Sequence, residues 1–109
     1  MLDGYVMGIG GGLGLWAPIR IATENTKFAM PECKFGHVPD GGAGAFLARM
    51  PYNVGKYLGL SGDIIDGIEL AHLGEADFLV ESNSLNKITN EIENSHFLRD
   101  IGSIKEFLS

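Results

Sequence analysis

The sequence predicts an α/β fold in which short strands alternate with short helices. A strand at residues 5–7 runs into a glycine-rich segment at residues 8–12 and then into a helix, and two further strands follow at residues 20–23 and 27–30. Apolar residues at helical spacing fill much of the remainder. With 109 residues, 45% of them hydrophobic, the chain can bury one modest core.

The first helix is predicted to be short and to carry its apolar side chains at positions 13, 15, 16 and 19. Pro18 limits it, because a proline inside a helix removes a hydrogen bond and clashes with the preceding turn. Residues 24–26 are polar and indicate a turn between the second and third strands. Pro31 ends the third strand, and residues 32–39 are expected to form a loop or a short helix.

The rest of the chain is predicted to be mainly helical. Helices are expected over residues 40–50, 54–60 and 64–73, and a short buried strand over residues 78–80. From residue 82 onward, apolar side chains at three-to-four spacing indicate an amphipathic helix. Residues 1–80 are therefore predicted to form the core of one domain, and residues 81–109 a C-terminal helical segment of that domain.

The net charge of −6 is concentrated in the second half of the chain. Residues 1–57 carry five basic and four acidic side chains, whereas residues 58–109 carry three and ten. Nucleic-acid binding would need clustered Lys and Arg, so it is not expected of an enzyme with this composition. The apolar stretches are too short for a membrane span. The lone Cys33 predicts no disulfide, no structural metal site and a reducing compartment.

The glycine segment has more than one interpretation. Glycines allow a strand and a helix to pack closely, and this is a sufficient explanation by itself. The segment fits neither the dinucleotide nor the P-loop phosphate pattern, because position 13 is Leu13 and no Gly-Lys-Ser/Thr follows. Exposed N–H groups at the start of a helix could also stabilise a developing oxyanion.

Two carboxylates, Glu32 and Asp40, lie eight residues apart in a segment bounded by Pro31 and Pro39. Two acids at one site can divide labour, one attacking or activating water and the other orienting it. The alternative is that Glu32 is solvated and Asp40 merely caps the following helix. The residues alone leave both open.

Taken in order, these motifs resemble the enoyl-CoA hydratase/isomerase superfamily. The matching stretches are DGYVMGIGGGLGL at residues 3–15, RIATENTKFAMPE at 20–32, GHVPDGGAG at 36–44, LSGD at 60–63 and AHLGEADFLV at 71–80. Such an ordered series is far more specific than one glycine motif. The resemblance implies the crotonase-like ββα spiral, of which this chain holds the central portion, without the N-terminal strands.

Three positions indicate the subfamily. In the hydratases of this superfamily, one Glu stands at the position of Gly12 and another at the position of Glu32. In the dienoyl-CoA isomerases, Asp stands at the position of Gly12. The 3-hydroxyisobutyryl-CoA hydrolases instead have a small residue there, Met-Pro-Glu upstream and Pro-Asp-x-Gly eight residues on, as this chain has. The resemblance thus implies hydrolysis of 3-hydroxyisobutyryl-CoA, or a similar short 3-hydroxyacyl-CoA, as in valine catabolism.

The same resemblance assigns roles to residues. Glu32 would attack the thioester or activate water, Asp40 would position the water or Glu32, and the backbone N–H of Ile9 would hold the thioester oxygen. All three are predicted to contact the acyl-CoA substrate, and a shift of two residues in the alignment would move the backbone donor to Gly11. CoA belongs to the substrate, so no separate cofactor is expected.

Two departures from the subfamily pattern concern the acyl pocket. Val38 stands where an aromatic residue usually precedes Pro-Asp, and Ala48 stands where a proline is common. Both changes are expected to affect the choice of acyl group.

Two other reactive side chains lie in the same segment. His37 could serve a His-Asp base, but the resemblance gives that position no role, and a structural or solvated histidine is favoured. No clear feature of the sequence marks Cys33 as an activated nucleophile, so a packed thiol is favoured.

The resemblance also bears on the setting of the protein. It implies a mitochondrial enzyme, with a homo-oligomer possible, whose CoA-binding and first oxyanion elements precede residue 3 in a longer parent chain. An alternative of another class is a structural protein of the mitochondrial small ribosomal subunit, because homologues of these hydrolases occur there. A hydratase or isomerase is a further alternative.

Overall fold

A computed structural model describes residues 1–94, together with residues 102 and 108. It contains the strands β1 (Tyr5–Met7), β2 (Ile21–Thr23), β3 (Lys27–Ala29), β4 (Ile65–Asp66) and β5 (Phe78–Val80). Its helices are α1 (Ile9–Leu15), α2 (Ala43–Arg49), α3 (Val54–Ser61), α4 (Gly67–His72) and α5 (Leu85–Asn94), with short 3₁₀ helices at Pro31–Phe35, Pro51–Asn53 and Ser82–Ser84. The predicted α/β class is confirmed.

The described strands form two small sheets. β1 pairs with β3 in parallel and β3 with β4 in antiparallel, giving the order β1-β3-β4. β2 pairs with β5 in parallel in the second sheet. The first three strands therefore alternate between the two sheets, whereas β3 and β4 are neighbours in one sheet although α2 and α3 lie between them in the chain.

The core is one continuous apolar cluster between the sheets and helices. Phe28 and Phe46 are fully buried and meet edge to face, with ring centroids 6.1 Å apart. Leu15 from α1, Leu58 from α3 and Leu70 from α4 join them. This cluster fixes α1, α2 and α3 relative to β3, and β3 leads directly into the 3₁₀ helix that contains Glu32.

Two predictions about these elements were wrong. The first helix ends at Leu15, so Trp16 is its C-terminal cap and Ile19 lies outside it. The expected helix over residues 64–73 begins as β4, which pairs with Lys27 and Phe28, and only then becomes α4. The predicted polar turn between β2 and β3 is confirmed, and Thr26 within it is fully buried.

The burial of the polar Thr26 has a clear physical reason. The Thr26 hydroxyl accepts the N–H of Thr23 at 2.8 Å and donates to the carbonyl oxygen of Leu2. A buried hydroxyl with both partners satisfied carries little cost, so the turn can face the core.

At the C-terminal end, the predicted strand over residues 78–80 is confirmed, but it is not buried, since Leu79 is exposed. The amphipathic helix predicted from residue 82 is confirmed over Leu85–Asn94. The predicted continuation of this helix to residue 109 includes His96. It lies outside the described residues, except at residues 102 and 108.

Candidate functional site

Glu32 and Asp40 lie together. Glu32 is in the first turn of the 3₁₀ helix Pro31–Phe35, where Pro31 fixes the first φ angle. The backbone N–H of Asp40 donates to Glu32 Oε2 at 3.2 Å, so the two acids occupy opposite ends of one short loop. Glu32 Oε1 is buried and has no hydrogen-bond partner among the described residues. Asp40 is exposed.

A tight turn holds Asp40. Gly41 and Gly42 have φ angles of +66° and +77°, a conformation that side chains other than glycine rarely adopt. The turn closes where Ala43 N–H donates to the Asp40 carbonyl at 3.2 Å. The Asp40 carboxylate accepts the N–H of Gly41 at 2.8 Å. α2 starts only at Ala43 with Gly42 as its N-cap, so Asp40 does not cap it.

The glycine segment packs against this turn. A Cβ built on Gly12 would lie 2.6 Å from the Gly41 carbonyl oxygen and 3.0 Å from its Cα. A side chain at position 12 would therefore displace the turn that carries Asp40. The glutamate that the hydratase pattern has at position 12 has no room here.

The start of α1 offers unpaired backbone donors. The first hydrogen bond of the helix runs from Gly12 N–H to the Gly8 carbonyl at 3.0 Å, so the N–H groups of residues 9–11 precede it. Ile9 and Gly10 are exposed, whereas Gly11 is buried against Phe28 and Met30. Of the two predicted donor positions, Ile9 is thus the accessible one. It lies three residues before Gly12, which is about 4.5 Å along the helix axis.

An apolar cleft of about 450 Å³ adjoins the loop. Cys33 and Pro39 supply one wall, and they directly follow Glu32 and precede Asp40 in the chain. Val38 and Ala48, the two positions that depart from the resembling subfamily, both line it. The remaining walls come from α2 and α3, including the side chains of Leu47 and Leu60 and the backbone of Gly55 and Gly59.

His37 and Cys33 are placed differently. His37 is exposed, and its backbone N–H donates to the Glu32 carbonyl at 3.0 Å. Cys33 is half-buried in the cleft wall. Both arrangements agree with supporting rather than chemical roles.

One side-chain cluster near the site was not predicted from the sequence. Glu75, only 2% exposed, accepts hydrogen bonds from Arg49 Nε at 2.9 Å and Nη2 at 2.6 Å, and from Arg20 Nη1 at 3.1 Å. The hydrogen bond to Glu75 raises the pKa of Arg49 above its ordinary value. The guanidinium of Arg49 lies 5.9 Å from the ring centroid of Trp16. The partners are 26 or more residues apart, so no local pattern could reveal them.

The described residues hold no cluster of three or more His, Cys, Asp or Glu side chains suited to a metal ion. Nor does this part of the chain contain a helix with both the length and the apolar character needed to cross a membrane.

Comparison with known proteins gives a consistent family. A family model described as enoyl-CoA hydratase/isomerase matches residues 1–108. Among solved structures, an enoyl-CoA hydratase from Rhodobacter sphaeroides superposes with a TM-score of 0.79 and 38% identity, covering 83% of this chain and 27% of that one.

Curated relatives fall into two classes. The small ribosomal subunit protein mS47 of Neurospora crassa is 52% identical over 84 residues, which are 77% of this chain and 16% of the relative. 3-Hydroxyisobutyryl-CoA hydrolase 1 of Arabidopsis thaliana is 45% identical over 92 residues, which are 84% of this chain and 24% of the relative. The chain thus spans a quarter or less of the length of these relatives.

Proposed function

Because the chain belongs to the enoyl-CoA hydratase/isomerase family, we propose that the protein hydrolyses the thioester of 3-hydroxyisobutyryl-CoA, or of a similar short 3-hydroxyacyl-CoA. The crotonase-like fold predicted from the sequence agrees with the solved structures of the family. Hydrolysis is a more specific claim than membership of the family, and it rests on Glu32 and Asp40, which lie beside α1.

The observation that carries the proposal is the environment of Glu32. One carboxylate oxygen accepts the N–H of Asp40, and the other is enclosed without a partner among the described residues. A buried acceptor left without a hydrogen bond costs free energy, and a catalytic role is one reason for which proteins retain such a group. We propose that Oε1 receives its partner only during the reaction, as nucleophile or as the base that takes a proton from water.

In the proposed reaction, the thioester carbonyl oxygen binds the backbone N–H of Ile9 and a second N–H donor. An oxygen of water adds to the carbonyl carbon and the C–S bond breaks. Alternatively, an oxygen of Glu32 adds first and CoA leaves, and water then cleaves the acyl–Glu32 anhydride to regenerate the carboxylate. Water supplies the hydroxyl of the free acid and the proton that leaves on the CoA thiol. Asp40 orients the water or Glu32. The N–H donors stabilise the negative charge that develops on the carbonyl oxygen.

Hydrolysis is favoured over hydration by the contact between Gly12 and Gly41. Addition of water across a double bond in this family uses two glutamates, according to the resemblance, and the first of them would stand at position 12. A Cβ there meets backbone at 2.6 Å. Glu32 and Asp40 are therefore the two acids that we propose act on the thioester.

We further propose that the apolar cleft takes the acyl group. Val38 and Ala48 are smaller than the residues that the subfamily pattern has at these positions. The cleft, of about 450 Å³, should therefore be wider than it would be with those larger residues. A branched or slightly longer acyl group would fit this space.

The proposed compartment is the mitochondrion. Hydrolases of Xenopus tropicalis and Dictyostelium discoideum that are 40% and 41% identical to this chain are named as mitochondrial. A homo-oligomer, which the resemblance permits, is part of the same proposal.

The decisive experiment measures thiol release. The chain, and the full-length protein if the gene encodes a longer one, is given 3-hydroxyisobutyryl-CoA and crotonyl-CoA in parallel. We expect CoA release from the first and little hydration of the second. Faster hydration of crotonyl-CoA than thioester cleavage would overturn the proposal in favour of a hydratase.

A second candidate function has its own support. The relative mS47 of Neurospora crassa is 52% identical, so a role in the small ribosomal subunit is the alternative. The net charge of −6 disfavours a surface that binds RNA directly, though it permits contact with ribosomal proteins. Co-sedimentation with the small ribosomal subunit, together with no CoA release, would support this alternative.

A further inference from the structure

The turn that carries Asp40 is contacted at two points, by Gly12 of α1 and by Trp16 at the C-terminal cap of that helix. Gly12 contacts Gly41, as described above. One turn of chain later, Trp16 lies against Gly42, where a Cβ would be 2.5 Å from Trp16 Nε1. Residues four apart share one helix face, so the same face presents both contacts. α1 and its C-terminal cap thereby hold the turn at Gly41 and Gly42.

Trp16 has contacts of its own beyond the turn. The residue is 54% exposed, so burial alone does not fix the position of its ring. The guanidinium of Arg49 lies 5.9 Å from its centroid, a separation at which a cation attracts an aromatic face. Glu75 holds that guanidinium through two hydrogen bonds, a geometry that leaves it little freedom to rotate. Arg20 in turn fixes Glu75.

We infer that Trp16, held in place by Arg49 and Glu75, is a positioning residue that sets where the Asp40 carboxylate lies relative to the start of α1. The inference rests on the proposed function, since the reaction gives the position of Asp40 its importance. The cluster acts through the backbone of Gly42. Asp40, Gly41 and Gly42 are exposed, so this part of the turn would sample other positions without the contact.

The first experiment is kinetic and uses Trp16→Ala and Trp16→Phe. A small displacement of a group at the reacting centre can cost up to about a hundredfold in rate, so we expect kcat of Trp16→Ala to fall by roughly tenfold or more. KM should stay within about twofold, because uniform binding is untouched. Trp16→Phe keeps a ring for Arg49 and should recover part of the loss.

Tyr5→Ala is the matched control. Tyr5 is also an exposed aromatic ring beside a cation, with Lys27 Nζ 5.6 Å from its centroid, but it lies on β1. Its loss should leave kcat unchanged. If Trp16→Ala is folded and keeps the kcat of the unaltered protein, the inference is wrong.

A second experiment needs no activity. Hydrogen exchange of the Gly41 and Ala43 amides, which both bond to Asp40, reports the order of the turn directly. Trp16→Ala and Glu75→Gln should each speed exchange at these amides by about tenfold, while Tyr5→Ala should not. Glu75→Gln carries the test alone if Trp16→Ala does not fold. Unchanged exchange would overturn the inference.

The two experiments separate the inference from the proposed function. If the unaltered protein releases no CoA, the function fails, and the exchange rates decide whether Trp16 orders the turn. If CoA is released and exchange accelerates without a fall in kcat, the cluster stabilises the turn without positioning Asp40 for reaction, and the inference is overturned.

Discussion

Gly12 and Gly41 touch through their backbones, so that a Cβ on Gly12 would lie 2.6 Å from the Gly41 carbonyl oxygen. This contact joins the helix with the proposed N–H donor to the turn with the proposed acid. It also makes position 12 intolerant of any side chain, because real Cβ atoms do not approach backbone so closely.

Gly12→Ala is therefore expected to lower the free energy of unfolding by about 1–3 kcal/mol, as overpacking commonly does. Gly12→Glu should be worse and should not create hydratase activity, since the added carboxylate displaces Asp40. Urea unfolding and thiol release measure both effects. Gly10→Ala is the matched control, because it lies on the same helix and its Cβ would meet nothing within 4 Å. Equal stability of the two alanine variants would contradict the contact.

The paired acids can be tested by variants that keep their hydrogen bonds. In Glu32→Gln the amide oxygen can still accept the Asp40 N–H, and in Asp40→Asn it can still accept the Gly41 N–H. The turn should stay intact while the charge is lost. Positioned acids and bases contribute about 10²–10⁴-fold, so kcat should fall by that order for Glu32→Gln and somewhat less for Asp40→Asn. Two variants as active as the unaltered protein would remove both residues from the mechanism.

The local patterns of the sequence predicted the elements around the site, but the contacts between them could not be predicted. The strand, glycine segment and helix at residues 5–15 have a local signature, and so does the proline-bounded segment with Glu32 and Asp40. β4 has only two residues, and its pairing with Lys27 and Phe28 is set by the tertiary fold. Likewise, the burial of Glu75 could not be predicted, because it depends on ion pairs with Arg20 and Arg49, which lie far away in the chain.

A pH dependence is expected from Asp3. Its carboxylate accepts hydrogen bonds from the Thr23 hydroxyl at 2.5 Å and the Ser82 hydroxyl at 2.9 Å, and these lower its pKa below the ordinary 3.8. A depressed pKa in the folded state stabilises the fold above the unfolded pKa, and that contribution is lost as the pH falls through the folded pKa. The stabilisation should therefore be full at neutral pH and disappear below about pH 3.8.

Asp3→Asn tests this through urea midpoints measured at several pH values. The variant should be less stable than the unaltered chain at neutral pH, and the difference should shrink in acid. Glu91→Gln changes the net charge equally at an exposed position on α5 and serves as the control. A difference for Asp3→Asn that stays constant down to about pH 2 would contradict the assignment.

The apolar cleft is tested by Val38→Phe, which places at this position the aromatic residue that the resembling subfamily usually has. The larger side chain would occupy part of the space of about 450 Å³ between the loop and α2. One methylene more or less in an apolar pocket changes selectivity by about 10–200-fold, so the ratio of kcat/KM for 3-hydroxyisobutyryl-CoA over hexanoyl-CoA should rise by roughly tenfold or more. Ile64→Phe enlarges an exposed residue outside the cleft and should leave the ratio unchanged. If Val38→Phe also leaves it unchanged while the protein remains active, the acyl group binds elsewhere.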